Sequence, residues 1–261
     1  MILGYEKKGA LRNPKAEKVI VLHDWFSDHS SYDPSFPYFD QDTYKYAFID
    51  LRGYGLSKEH AGHYTLAEVA QDIIDTVDHL GWAQFHLVGH SMSALMGQFI
   101  CALATQRIKS FIAVTPVGAT GTPGVTPEIL GFMTAAATND DELATQAAHM
   151  MTDNRYGKTW TDFKVKNWRE TSTAEARVGY MHLFLNSDIL EEVKGLEIPM
   201  AVIFGTHDAE GYRRPVMEET FAKWFPSCEL FEIENTGHYP MQETPVAFAT
   251  TLMAFLDKHL E

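Results

Sequence analysis

Short apolar runs recur along the chain at 18–22, 46–51, 85–88, 111–114, 200–204 and 230–233, and most are separated by segments whose apolar positions follow helical spacing. Apolar runs this short, bounded by turn residues, read as buried strands. Strands alternating with helices predict a mostly parallel sheet covered by helices on both faces, an α/β architecture. Thr65 followed three residues later by Glu68 predicts a capping box, opening a helix that runs to about Leu80 and stops at Gly81. Between Pro116 and Gly195 the strand rhythm ceases. Four helix-like patterns take its place, around 128–137, 142–151, 160–168 and 174–185. A helical interruption between strands reads as an inserted cap, and its entrance at 118–124 has the Gly, Thr and Pro content of a hinge. The expected division is a core of residues 1–117 and 196–261 with a helical cap at 118–195.

Composition narrows the picture. At 261 residues and 45% hydrophobic content the chain can bury a large core, which excludes disorder. The formal net charge of −14 excludes a protein that works by gripping nucleic acid or an anionic membrane, since both need a basic face. No run approaches the roughly 18 apolar residues of a membrane span, and Lys7 and Lys8 are not followed by an apolar stretch. The expectation is a cytoplasmic protein, monomer or homodimer, made without a signal. Cys101 and Cys228, two thiols in apolar patterns, suggest neither a disulfide framework nor a thiolate metal site. Twelve histidines raise the question of a metal, yet none forms a His-x-x-x-His pair with a carboxylate, so no metal and no cofactor is expected.

The chemistry centres on Gly89-His90-Ser91-Met92-Ser93. A strand pattern ends there and a helix pattern begins, so Ser91 falls on a sharp turn flanked by small residues. A serine hydroxyl is a weak nucleophile at neutral pH; it needs an imidazole to take its proton and a carboxylate to orient that imidazole. His238, in Asn235-Thr236-Gly237-His238-Tyr239-Pro240, follows the last strand pattern. Asp208 ends Phe204-Gly205-Thr206-His207-Asp208 after the preceding one. Asp188 is the rival acid, but Ser187-Asp188-Ile189-Leu190 reads as a helix start.

These segments together resemble the α/β-hydrolase superfamily from about residue 17 to the carboxyl terminus. Gly89-His90-Ser91-Met92-Ser93 matches G-x-S-x-G except that Ser93 stands for the second glycine, and the order Ser91, Asp208, His238 is the family's. Asp50-Leu51-Arg52-Gly53-Tyr54-Gly55-Leu56-Ser57 and Gly237-His238-Tyr239-Pro240-Met241-Gln242-Glu243 are similar to two further family turns. The resemblance implies an oxyanion hole made by the backbone N–H groups of Met92 and, from His23-Asp24-Trp25-Phe26, of Trp25. Asp24 replaces the glycine usual at that point and adds a charge near the place where an anion would form. His90 beside the nucleophile is expected to pack, and Phe26, His90, Met133, Trp160, Phe184 and Tyr239 are expected to line an apolar substrate pocket.

The implied activity is a serine hydrolase of carboxylesterase or lactonase type, acting through a Ser91 acyl-enzyme on a small, largely apolar ester or lactone. Arg155, Arg177 and Arg213 keep a carboxylate-bearing substrate open. Two other readings use the same scaffold. Ser93-Ala94-Leu95-Met96-Gly97 is similar to the corresponding region of strigolactone- and karrikin-type receptors, which points to a ligand receptor. Trp25, Asp28 and His29 resemble the cofactor-free dioxygenases of this fold, although Ser27 stands where those carry histidine, and carbon–carbon bond hydrolases share the triad.

Overall fold

The computed structural model describes residues 1–260. Seven strands form one sheet: β1 Tyr5–Gly9, β2 Glu17–Leu22, β3 Tyr44–Ile49, β4 Phe85–His90, β5 Ile108–Val114, β6 Met200–Gly205 and β7 Cys228–Ile233. Their order is β1-β3-β2-β4-β5-β6-β7, with β1 antiparallel to β3 and every other pair parallel. Six of these strands coincide with the apolar runs. The seventh, β1, is Tyr-Glu-Lys-Lys-Gly, half-buried at most positions, and it joins the edge through its backbone ladder rather than through an apolar face.

Buried parallel strands alternate their side chains between two cores. Ile20, Leu22, Leu87 and Phe111 point to one face, where α1 (Leu66–His79) and α2 (Met92–Leu103) pack. Val19, Val21, Val88 and Ile112 point to the other, against Phe248, Leu252 and Phe255 of the carboxyl-terminal helix. Thr65 caps α1 by accepting the Glu68 amide, and the Glu68 carboxylate reaches back to the His63 and Tyr64 amides. Gly81 ends that helix with φ +70°.

Between β5 and β6 come four helices, α3 Pro127–Thr138, α4 Asp141–Met150, α5 Lys158–Thr171 and α6 Ala174–Asn186, then the short α7 Leu190–Val193. Arg177 of α6 is buried without a carboxylate. Its guanidinium donates instead to the carbonyls of Ala137, Thr138, Trp168 and Ser172, at the ends of α3 and α5, where unpaired helix carbonyls favour a cation. One side chain thereby ties three helices together. After β6 follow α8 Arg214–Glu219 and α9 Phe221–Trp224, and after β7 come α10 Pro240–Glu243 and α11 Pro245–Asp257. Cys101 is buried as expected, whereas Cys228 is only half-buried because β7 is an edge strand. Among the described residues, no helix is long and apolar enough to cross a membrane.

The sheet order reverses between β2 and β4: the chain leaves β2 for β3 on one side and returns to β4 on the other. In open α/β sheets the crevice beyond the carboxyl ends of such strands is where ligands bind.

Candidate active site

Ser91 sits at that crevice, immediately after β4, with φ 56° and ψ −113°. This backbone is unfavourable for a side-chain-bearing residue by about 1–3 kcal/mol and persists only where neighbours enforce it. Here the Ser91 amide donates to the Val114 carbonyl at 2.9 Å, and the Ser91 carbonyl accepts from Ala94 and Val117 at 3.0 and 3.1 Å. A Cβ on Gly89 would lie 2.5 Å from the Ser93 carbonyl oxygen, so only glycine permits the return of the chain. Ser93, in place of a second glycine, is fully buried and its hydroxyl donates to the carbonyl of His23. The extra side chain thus ties the turn after β4 to the end of β2.

Asp208 and His238 follow β6 and β7, and the loops bring both to Ser91. His238 Nε2 is 3.0 Å from Ser91 Oγ, and His238 Nδ1 lies 2.9 and 3.1 Å from the two oxygens of Asp208. Nδ1 faces a carboxylate, so it carries the proton and leaves Nε2 able to accept one from the serine. All three residues are buried. Burial disfavours a charged imidazole, but the adjoining Asp208 carboxylate outweighs it and holds the His238 pKa above its ordinary value.

The histidine loop is pinned on every side. The His238 amide donates to the Met151 carbonyl at 2.9 Å, its carbonyl accepts from His90 Nε2 at 2.8 Å and from Thr115, and Glu243 accepts the Gly237 and Tyr239 amides, each at 2.8 Å.

The Trp25 and Met92 amides have no protein acceptor among the described residues, Met92 being the first residue of its helix. Trp25 itself is fixed: its carbonyl accepts the Tyr54 hydroxyl and its indole N–H donates to the Arg177 carbonyl at 2.6 Å. Asp24 is buried; His90 Nδ1 lies 3.8 Å from its carboxylate, and Lys164 acts on it as a further cationic influence. Lys164 of α5, 1% exposed, donates to Gln242 at 2.9 Å and lies 3.7 Å above the ring of Tyr239. Burial draws its ammonium down to about 8, with Asp24 the largest influence holding it up. Burial works against the Asp24 charge as well, yet His90, then Lys164 and His23, keep its pKa below the usual carboxylate value. The field of Asp24 at the open amides is therefore partly cancelled.

Above Ser91 lies a cavity of about 230 Å³ with largely apolar walls. Of the expected pocket residues, Phe26, Met133, Phe184 and Tyr239 line it, together with Trp25. His90 does not: it is fully buried behind His238, where its ring serves the histidine loop. Trp160 does not either, because it packs on Tyr156 and on Tyr239, and Tyr239 takes the place at the wall. The three arginines are engaged away from the cavity lining, Arg155 with Glu243 at 3.2 Å, Arg213 with the Asp208 carbonyl at 2.6 Å, and Arg177 as described. Asp188 is exposed and accepts the Leu190 amide, a helix-start role.

Two features escaped the sequence pattern. Tyr212, four residues after Asp208, lines the cavity and sets its ring edge-on to His238 at 4.6 Å. Its offset from the acid was the only available signal. The second is a cluster of Asp28, His29 and Asp50, whose potential ligand atoms lie within 4.8 Å of one another. Both Asp50 oxygens already accept protein N–H groups, from His29 and from Leu56, and Asp28 Oδ1 accepts from Ser30. The cluster fastens the loop after β2 to the loop after β3.

Strand-end serine, acid and histidine on a sheet of this order define the α/β-hydrolase class, and the model of the Alpha/beta hydrolase family matches residues 19–251, so the chain belongs to that family. Among curated relatives it is 26% identical over 216 residues to the dihydrolipoyllysine-residue acetyltransferase component of an acetoin cleaving system from Pseudomonas putida, covering 81% of this chain and 56% of that one. It is 32% identical over 112 residues to a serine hydrolase-like protein of Homo sapiens, covering 42% and 53%. The chain thus spans about half the length of these two relatives. Among solved structures, the enol-lactonase from Burkholderia xenovorans LB400 superposes with a TM-score of 0.84 at 22% identity, over 98% of this chain and 96% of that one, a likeness of fold.

Proposed function

We propose that the protein is a serine hydrolase that cleaves a carboxylic ester or lactone of a small, largely apolar substrate. The observation that carries this reading is the unbroken relay from Asp208 through His238 to Ser91 Oγ, opening onto an apolar cavity. Ser91 attacks the carbonyl carbon while His238 Nε2 takes its proton, and Asp208 stabilises the imidazolium. The Trp25 and Met92 amides hold the developing oxyanion; one such donor is worth about 3–4 kcal/mol in a protease where it was removed. His238 then protonates the departing alcohol oxygen, and water deprotonated by the same nitrogen releases the acid. In a lactone the alcohol stays tethered, so a hydroxy acid is the product. Helices α3 to α6 act as the cap over residues 118–195, and their apolar side chains select the acyl group.

The cavity lining holds the Asp24 carboxylate and, among the described residues, no lysine or arginine, which favours a neutral substrate over a carboxylate. A screen of p-nitrophenyl esters, alkyl esters and lactones tests the proposal. Ser91→Ala is expected to lower kcat by at least about 10⁴-fold on every substrate the wild type turns over. Equal turnover by the variant contradicts it.

A further inference from the structure

Tyr212 is a polar group where packing alone would be served by phenylalanine. Its ring meets the His238 imidazole edge-on, at 4.6 Å and 71°. Its backbone is set by the acid loop: the Tyr212 amide donates to the Ala209 carbonyl at 2.9 Å, and the next residue, Arg213, reaches back to the Asp208 carbonyl at 2.6 Å. The side chain lines the same cavity as Ser91 and His238. Tyr212 is half-buried, and its hydroxyl lies beside that of Ser91. From the cavity wall a phenol can donate to an oxygen that arrives next to Ser91.

We propose that the Tyr212 hydroxyl is a further catalytic donor, which hydrogen-bonds the alcohol oxygen as it leaves and afterwards the attacking water. The proposal rests on the Ser91 hydrolase reading and adds to it. During acylation the Ser91 Oγ–carbon bond forms, the Oγ proton passes to His238 Nε2, and the carbon–oxygen bond to the alcohol breaks. That bond's electron pair stays on the departing oxygen, which the His238 proton neutralises. Tyr212 keeps its own proton throughout and stabilises the charge that builds on the oxygen before transfer is complete. Burial raises the phenol pKa, so Tyr212 remains a donor across the working pH range. Its ring packs against the His238 imidazole and lines the same cavity as Ser91, where the alcohol oxygen departs.

The test is Tyr212→Phe, which keeps the ring against His238 and removes only the hydroxyl, measured with esters of one acyl group and different alcohols. Stabilising a departing oxygen matters most when that oxygen is a poor leaving group. The expected loss in kcat/KM is about 10- to 100-fold for alkyl esters, the range of one hydrogen bond to a charged atom, and about threefold or less for the p-nitrophenyl ester. An unchanged melting temperature and full labelling of Ser91 by a fluorophosphonate show that the variant is folded. Equal losses on both esters, or none on either, overturn the proposal while Ser91-dependent turnover by the wild type leaves the hydrolase reading standing. Wild-type turnover unaffected by Ser91→Ala overturns both.

Discussion

The rim of the sheet and the helical layer above it are built on different terms. At the rim, Ser91, Asp208 and His238 each sit within a few residues of a strand end, and backbone hydrogen bonds fix every one of their segments. In the helical layer, the residues that reach the cavity come from α3, α4, α5, α6 and the turn after α4, with Met133, Met150, Met151 and Phe184 among them, and, among the described residues, their apolar side chains make no hydrogen bond that fixes where they point. Backbone bonds hold a reacting geometry to tenths of an ångström, whereas flexible apolar side chains accommodate different shapes. The contrast separates reaction from selection: substitutions at the rim should strike kcat, and those in the helices should redistribute substrates.

The largest effect separating the two is expected from Asp208→Asn, which leaves the loop in place but misdirects the His238 tautomer. A fall in kcat of about 10³- to 10⁴-fold, read by steady-state kinetics, follows from the equivalent change in a well-studied protease. The pH profile sharpens this. His238 must be neutral to accept the serine proton, and its pKa is raised, so activity is lost as pH falls through a value above about 6.5, the ordinary imidazole pKa. Without the Asp208 charge the residual activity should show that acid limb moved to lower pH.

Next in size is the junction between the regions. Lys164→Met removes one of the cationic influences on the buried Asp24 carboxylate and the bond to Gln242, and a loss of about 2–4 kcal/mol in urea unfolding is expected. Asp24→Asn combined with it should recover much of that loss, giving a coupling energy that a double-mutant cycle measures. Simple additivity of the two losses would mean that helix α5 is held over the rim by packing alone.

A smaller effect is expected from Ser93→Ala. Removing the bond to the His23 carbonyl leaves that oxygen buried without its partner, a destabilisation of about 1–3 kcal/mol seen as a lower melting temperature. The slightest change belongs to the helices. Met133→Ala enlarges the cavity and should shift the preferred acyl length, with kcat/KM for longer acyl esters changed by about tenfold, on the scale of one or two methylene groups. A comparable fall in kcat for every ester would place Met133 with the rim instead.

The same division governed what the sequence disclosed. Strands buried on both faces are short apolar runs, so β2 to β6 could be read directly, and the edge strand β7, half-buried up to Ile233, still showed through Leu230, Phe231 and Ile233. The half-buried β1, held by its ladder to β3, has no such pattern. The order of Ser91, Asp208 and His238 was legible because each follows the end of a strand by no more than five residues. Where the helices put their side chains was not, since Met133 and Trp160 are both large apolar residues in helical patterns and only tertiary packing decides that Met133 lines the cavity while Trp160 stacks on Tyr239. Lys164 was hidden for a related reason: in a helix carrying Lys158, Lys166 and Arg169, nothing local marks one cation as buried. Asp24 read as an isolated anomaly because His90 and Lys164, which offset its charge, lie 66 and 140 positions away along the chain.

The most direct test of the central claim is stoichiometric labelling with a fluorophosphonate, followed by intact-mass and peptide mass spectrometry. Ser91 should take up one phosphonyl group per chain, and His238→Ala, lacking the base, should label far more slowly. Absence of label from Ser91, or equal labelling of another serine in the Ser91→Ala variant, would contradict the assignment of Ser91 as the nucleophile.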